Sequence, residues 1–118
     1  MSKSSKSVFY FGIYMVFTGL PIFFIPNLLL EILEVPITTE PWIKVVGLLE
    51  MILGYYYITS AKSVYKNMLI ASTHGRITVF VVFLVFVILK IAPAVVLLFG
   101  TADLLGAIWT IYELKKEN

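Results

Sequence analysis

The amino-acid sequence predicts an all-α integral membrane protein: an antiparallel four-helix bundle, with a short interfacial helix between spans one and two, forming a single domain over residues 1–118. Three observations predict it. Hydrophobic residues make up 60% of the 118 and charged residues only 14%, with a mean hydropathy of +0.98. A soluble domain carries about 25% charged and 45–50% apolar residues, so this chain has too little polar surface to cover a soluble core. The apolar residues also gather in four stretches of spanning length, and the Lys and Arg residues fall mostly on one side of them.

A bilayer core of about 30 Å takes about 20 residues of helix at 1.5 Å per residue. Span one, residues 8–25, has no charge and meets Pro21 and Pro26 late. Residues 27–36 follow, leucines interspersed with Glu31 and Glu34. That pattern predicts a short amphipathic helix at the outer interface; the alternative is a continuation of span one past the headgroups. Span two, residues 42–61, opens behind Pro41, a residue suited to a helix start. It holds Lys44 near one end and Glu50 in the middle. In span three the unbroken apolar run, residues 77–89, reaches only about 20 Å. The helix must therefore begin near Met68 and cover residues 68–90, which draws Ser72, His74, Gly75 and Arg76 below the interface. Span four, residues 93–112, carries Asp103 in its middle. The short links at 62–67 and 90–93 make spans two and three, and three and four, neighbours. Trp42, Trp109 and the tyrosines 55–57 lie toward span ends, where aromatic belts form.

Four spans put both termini and the middle link on one side. That side holds Lys3, Lys6, Lys62, Lys66, Arg76, Lys115 and Lys116, against Lys44 and Lys90 on the other. The bias predicts cytoplasmic termini, and with loops this short it fits a bacterial inner membrane. The net charge of +2 is then a topology signal. No basic face of the kind a nucleic acid needs is present. The chain has no cysteine, which excludes disulfides, thiolate nucleophiles and Cys-ligated metals. Its one histidine, His74, excludes a multi-histidine metal or bis-histidine haem site, so no metal site is expected.

Small residues mark where helices meet in lipid. Gly12 and Gly19 in span one, and Gly47 and Gly54 in span two, are each seven apart, with Glu50 between the second pair. In span four Asp103 lies among Gly100, Gly106, Ala107 and Thr110. Such spacing sets both acids on small-residue faces, turned into the bundle. An ionisable group in hydrocarbon costs several kcal/mol or more unless paired or solvated. The expectation is a buried polar network of Glu50, Asp103 and Arg76, the arginine snorkelling toward the acids, with His74 and Tyr57 at its edge. For Arg76 the alternative is a headgroup position that sets topology; for the acids it is a purely structural role.

The segments Gly54-Tyr-Tyr-Tyr-Ile-Thr-Ser-Ala61 and Thr73-His-Gly-Arg76, then Pro93 and Leu98-Phe-Gly-Thr-Ala-Asp-Leu-Leu-Gly-Ala-Ile-Trp-Thr110, occur in an order that resembles the DoxX-like group of small four-helix bacterial membrane proteins. The resemblance spans residues 8–114. It implies an antiparallel four-helix fold with Arg76 and Asp103 at signature positions. It also implies a range of roles: quinone-dependent thiosulfate oxidation for DoxX itself, and redox stress or assembly of other membrane proteins for relatives. The lack of cysteine weighs against a thiol-redox role here.

No nucleophile–base pair, phosphate-cradling glycine loop or metal-ligand spacing is present. The leading expectation is a non-enzymatic membrane module that binds a lipophilic molecule, a quinone or a lipid, or a partner membrane protein. The alternatives are a quinone-linked oxidoreductase subunit and a small proton-coupled transporter. The transporter would act as a homo-oligomer, since four helices make a poor path alone.

Overall fold

A computed structural model describes residues 1–63 and 66–117. Among these residues it has five α-helices and no strand: α1 (Lys3–Phe24), α2 (Pro26–Ile32), α3 (Trp42–Ser63), α4 (Lys66–Ile88) and α5 (Val96–Glu117). Helices α1, α3, α4 and α5 are long and apolar enough to cross a membrane. At 22 or 23 residues each, they reach about 33 Å. The predicted helical class and four spans are present to this extent. Val64 and Tyr65, within the predicted 62–67 link, lie outside the described residues. The chain divides into two compact units, Met1–Val8 with Ser60–Asn118, and Phe9–Thr59.

The helix ends extend or shift the predicted spans for local reasons. Helix α1 starts five residues earlier than hydropathy predicts because Ser2 caps it. The Ser2 carbonyl accepts from Lys6 N–H (2.9 Å), and the Ser2 Oγ accepts from Ser5 N–H (3.1 Å), the arrangement expected of an N-cap serine. It runs through Pro21 to Phe24; Pro26 then opens α2 at a position where its missing N–H costs nothing. The predicted short helix is present but ends at Ile32. Glu34 N–H donates to the Glu31 carbonyl (3.1 Å) and Val35 N–H to that of Leu30 (2.9 Å), with Glu34 at φ 59°. Helix α4 ends the same way: Lys90 N–H reaches the Val87 carbonyl (3.1 Å), Ile91 N–H reaches that of Phe86 (2.8 Å), and Lys90 sits at φ 61°. Both are Schellman endings that place a non-glycine residue in the left-handed region. Helix α5 opens at Val96 rather than Pro93. The carbonyls of Pro93, Ala94 and Val95 take i→i+3 bonds first (3.2, 3.0 and 3.0 Å).

Within the Phe9–Thr59 unit, α1 and α3 touch backbone to backbone. A Cβ on Gly12 would lie 2.8 Å from the Gly54 carbonyl oxygen, and one on Gly54 would lie 2.7 Å from that of Gly12. One level on, Gly19 and Gly47 meet in the same way, a Gly47 Cβ falling 2.6 Å from Phe23 N. Pairing 12 with 54 and 19 with 47 fixes an antiparallel register. In lipid such close approach supplies the packing that water would otherwise drive. Within the other unit α4 packs on α5, as the short 90–93 link predicts.

Candidate functional site

The polar interior lies in the Met1–Val8 and Ser60–Asn118 unit. Helix α4 buries Leu69, Ser72, Thr73 and Arg76, an i, i+3, i+4, i+7 face. Helix α5 buries Ala107, Thr110, Glu113 and Leu114. Ser4, Ser5 and Ser7 at the start of α1 are buried as well. Arg76 is only 2% exposed, the largest of the fully buried side chains among the described residues. For a group that keeps its charge at any ordinary pH, that position requires bonded partners.

Among those partners are two hydroxyls and a carbonyl. Arg76 Nε donates to the Ser72 carbonyl (3.1 Å), and Nη2 donates to Ser72 Oγ (3.1 Å) and Thr110 Oγ1 (3.0 Å). The guanidinium is thus turned back along α4 toward its N-terminus. Thr110 Oγ1 lies 2.6 Å from Ser7 Oγ, and Ser7 Oγ donates to the Ser4 carbonyl at 2.6 Å. Each hydroxyl has one proton. Ser7 has the Ser4 carbonyl as an acceptor and Thr110 has the Gly106 carbonyl (3.1 Å), so either hydroxyl can be the donor between the two. Ser4 in turn donates through N–H (3.1 Å) and Oγ (2.7 Å) to the Glu117 carboxylate. Hydrogen bonds thus link the guanidinium through Thr110, Ser7 and Ser4 to the Glu117 carboxylate. Glu117 also places negative charge at the N-terminus of α1, where the helix dipole favours it.

Asp103 is half-buried on α5, seven residues before Thr110, about 10 Å along the helix axis. His74 is exposed on α4. Glu50 and Tyr57 belong to the Phe9–Thr59 unit. There the Glu50 carboxylate accepts from Thr18 Oγ1 at 3.0 Å, at a level between the two glycine contacts. Thr18 Oγ1 also lies 3.0 Å from the Tyr14 carbonyl and 3.2 Å from that of Met15, so one proton serves three acceptors. Tyr57 is half-buried, its ring 6.1 Å from that of Phe11.

Ser4, Ser7, Thr110 and Glu117 as partners of the arginine cluster escaped the sequence reading. The available signals were Ser72, one turn before Arg76, and the serine run from 2 to 7, which hydropathy treats as a polar leader.

Chemically the cluster holds a fixed cation, ordinary hydroxyls and the Glu117 carboxylate that accepts from Ser4. Among the described residues no group of three or more His, Cys, Asp or Glu is placed to hold a metal ion. A second feature lies in the Phe9–Thr59 unit: a cavity of about 620 Å³ where α1 gives way to α2 and α3 begins, lined by apolar residues and by Thr38, Glu40 and Lys44. No family model, curated protein or solved structure matches the chain.

Proposed function

We propose that the chain is a non-enzymatic four-helix membrane bundle of the bacterial inner membrane, with cytoplasmic termini, that binds an amphipathic lipid at its outer end. The observation that carries this reading is a division of labour among the polar groups. Around Arg76 the donors Nε and Nη2 are engaged by the chain's own oxygens, as a structural clamp requires. The cavity beside Lys44, by contrast, has the size of a ligand site, about 300–1,000 Å³. In the proposed orientation it falls at headgroup depth, since Lys44 is only two residues into α3, about 3 Å along the axis.

Membership of the DoxX-like group is a proposal resting on the small-residue, Arg76 and Asp103 pattern. A quinone-linked oxidoreductase role is the less favoured reading, because the chain has no thiol and Arg76 Nε and Nη2 are bonded to Ser72 and Thr110. Native mass spectrometry of protein released gently from membranes tests the lipid reading. A retained lipid adduct on the polypeptide is expected. A bare polypeptide under conditions that preserve other protein–lipid adducts overturns it.

A further inference from the structure

The cavity at the outer end of the Phe9–Thr59 unit is built by a tied loop. After α2 the chain reverses through Glu34 and returns toward α3. Asn27 Oδ1 accepts from Thr38 N–H at 2.9 Å, eleven residues away, and Thr38 Oγ1 accepts from Glu40 N–H at 3.0 Å. These bonds hold the returning segment over the start of α2. Phe24, Ile25 and Ile43 supply apolar wall, and Thr39, Glu40 and Lys44 line the same space. Phe24 and Ile25 are largely exposed, so an acyl chain leaving the cavity meets apolar surface.

The charges decide the class of ligand. Glu40 and Lys44 face one cavity, yet among the described residues neither side chain makes an ion pair. A phosphate alone would suit Lys44 but be repelled by Glu40. A neutral quinone would satisfy the ammonium with a carbonyl and leave the carboxylate without a donor. A headgroup carrying both an anion and a hydrogen-bonding cation serves both side chains at once. A primary ammonium does this better than a quaternary one, which has no N–H to donate to a carboxylate.

Building on the lipid reading above, we infer that this cavity takes a zwitterionic phospholipid with a primary amine, its phosphate at Lys44 and its ammonium at Glu40. The test is native mass spectrometry of the full chain reconstituted in vesicles of equal phosphatidylethanolamine, phosphatidylcholine and phosphatidylglycerol. The expected result is a single-lipid adduct in which phosphatidylethanolamine exceeds each competitor at least threefold. Glu40→Gln should abolish that preference while lipid is still retained, and Lys44→Met should cut total retention severalfold. Both side chains are exposed, so both variants are expected to fold, which circular dichroism verifies. Retention of lipid without preference for the amine headgroup, or a preference that survives Glu40→Gln, overturns the inference and leaves the lipid reading standing. Loss of every adduct in the wild-type chain overturns both.

Discussion

At Arg76 the side-chain type is set by geometry. Two nitrogens of one rigid fork reach the Ser72 carbonyl, Ser72 Oγ and Thr110 Oγ1 simultaneously; a lysine ammonium has no such fork. Hydrogen bonds to charged groups contribute about 1.5–3 kcal/mol each. Thr110→Val removes a hydroxyl shared by the guanidinium and Ser7, and should lower unfolding stability in detergent by about 1–3 kcal/mol. Ser72→Ala leaves the Nε bond to the Ser72 carbonyl in place and should cost less, about 0.5–1.5 kcal/mol. If Ser72→Ala proved the costlier change, the Thr110 bond would not be the principal anchor. The burial of a polar interior at Arg76 was legible in the sequence, because the apolar run after it is too short to span. Its hydroxyl partners were not. A serine adds little to hydropathy whether it faces water or a guanidinium, and Ser4 and Ser7 meet α5 only through the fold.

Helices α1 and α3 carry their register in glycines. Gly47→Ala should destabilise the protein, because its Cβ would fall 2.6 Å from Phe23 N and a backbone atom cannot step aside as a side chain can. Gly75→Ala offers the contrast. Beyond its chain neighbours and its own helix backbone, nothing lies within 4 Å of its Cβ position, and alanine is about 1 kcal/mol more favourable than glycine inside a helix. A gain of about that size is expected in thermal unfolding, and a loss would mean that Gly75 meets something else in the membrane. At the α4 terminus Lys90 holds φ 61°, where an L residue costs about 1–2 kcal/mol. Lys90→Gly should therefore raise the unfolding temperature. The glycine pairs were legible because a spacing of seven keeps them on one helix face. The helix boundaries were less so: capping by Ser2, the positive φ of Glu34 and Lys90, and the i→i+3 bonds after Pro93 are backbone events that a count of apolar residues does not register.

Over the whole molecule the weave of four spans makes a prediction about sides. With no native cysteine, single-cysteine variants report their own location. A membrane-impermeant maleimide applied to intact spheroplasts should label Lys90→Cys and should reach Lys116→Cys only after permeabilisation. The reverse pattern would invert the proposed orientation and place the Lys44 cavity in the inner leaflet. Composition carried the all-helical class, since 14% charge leaves few alternatives for a chain of this length. Function was far less legible, because the hydroxyls of Ser72 and Thr110 that bond Arg76 carry no chemical signal of their own in a sequence. The cavity depends on a loop folded back by a single asparagine.

The bond between Arg76 and Thr110 can be isolated by a double-mutant cycle. Arg76→Ala, Thr110→Val and the double variant would be compared by reversible unfolding in detergent micelles. A coupling energy of about 1–3 kcal/mol is expected if the guanidinium is clamped by that hydroxyl inside the protein. Effects that add within about 0.5 kcal/mol would contradict it, leaving Arg76 energetically independent of α5.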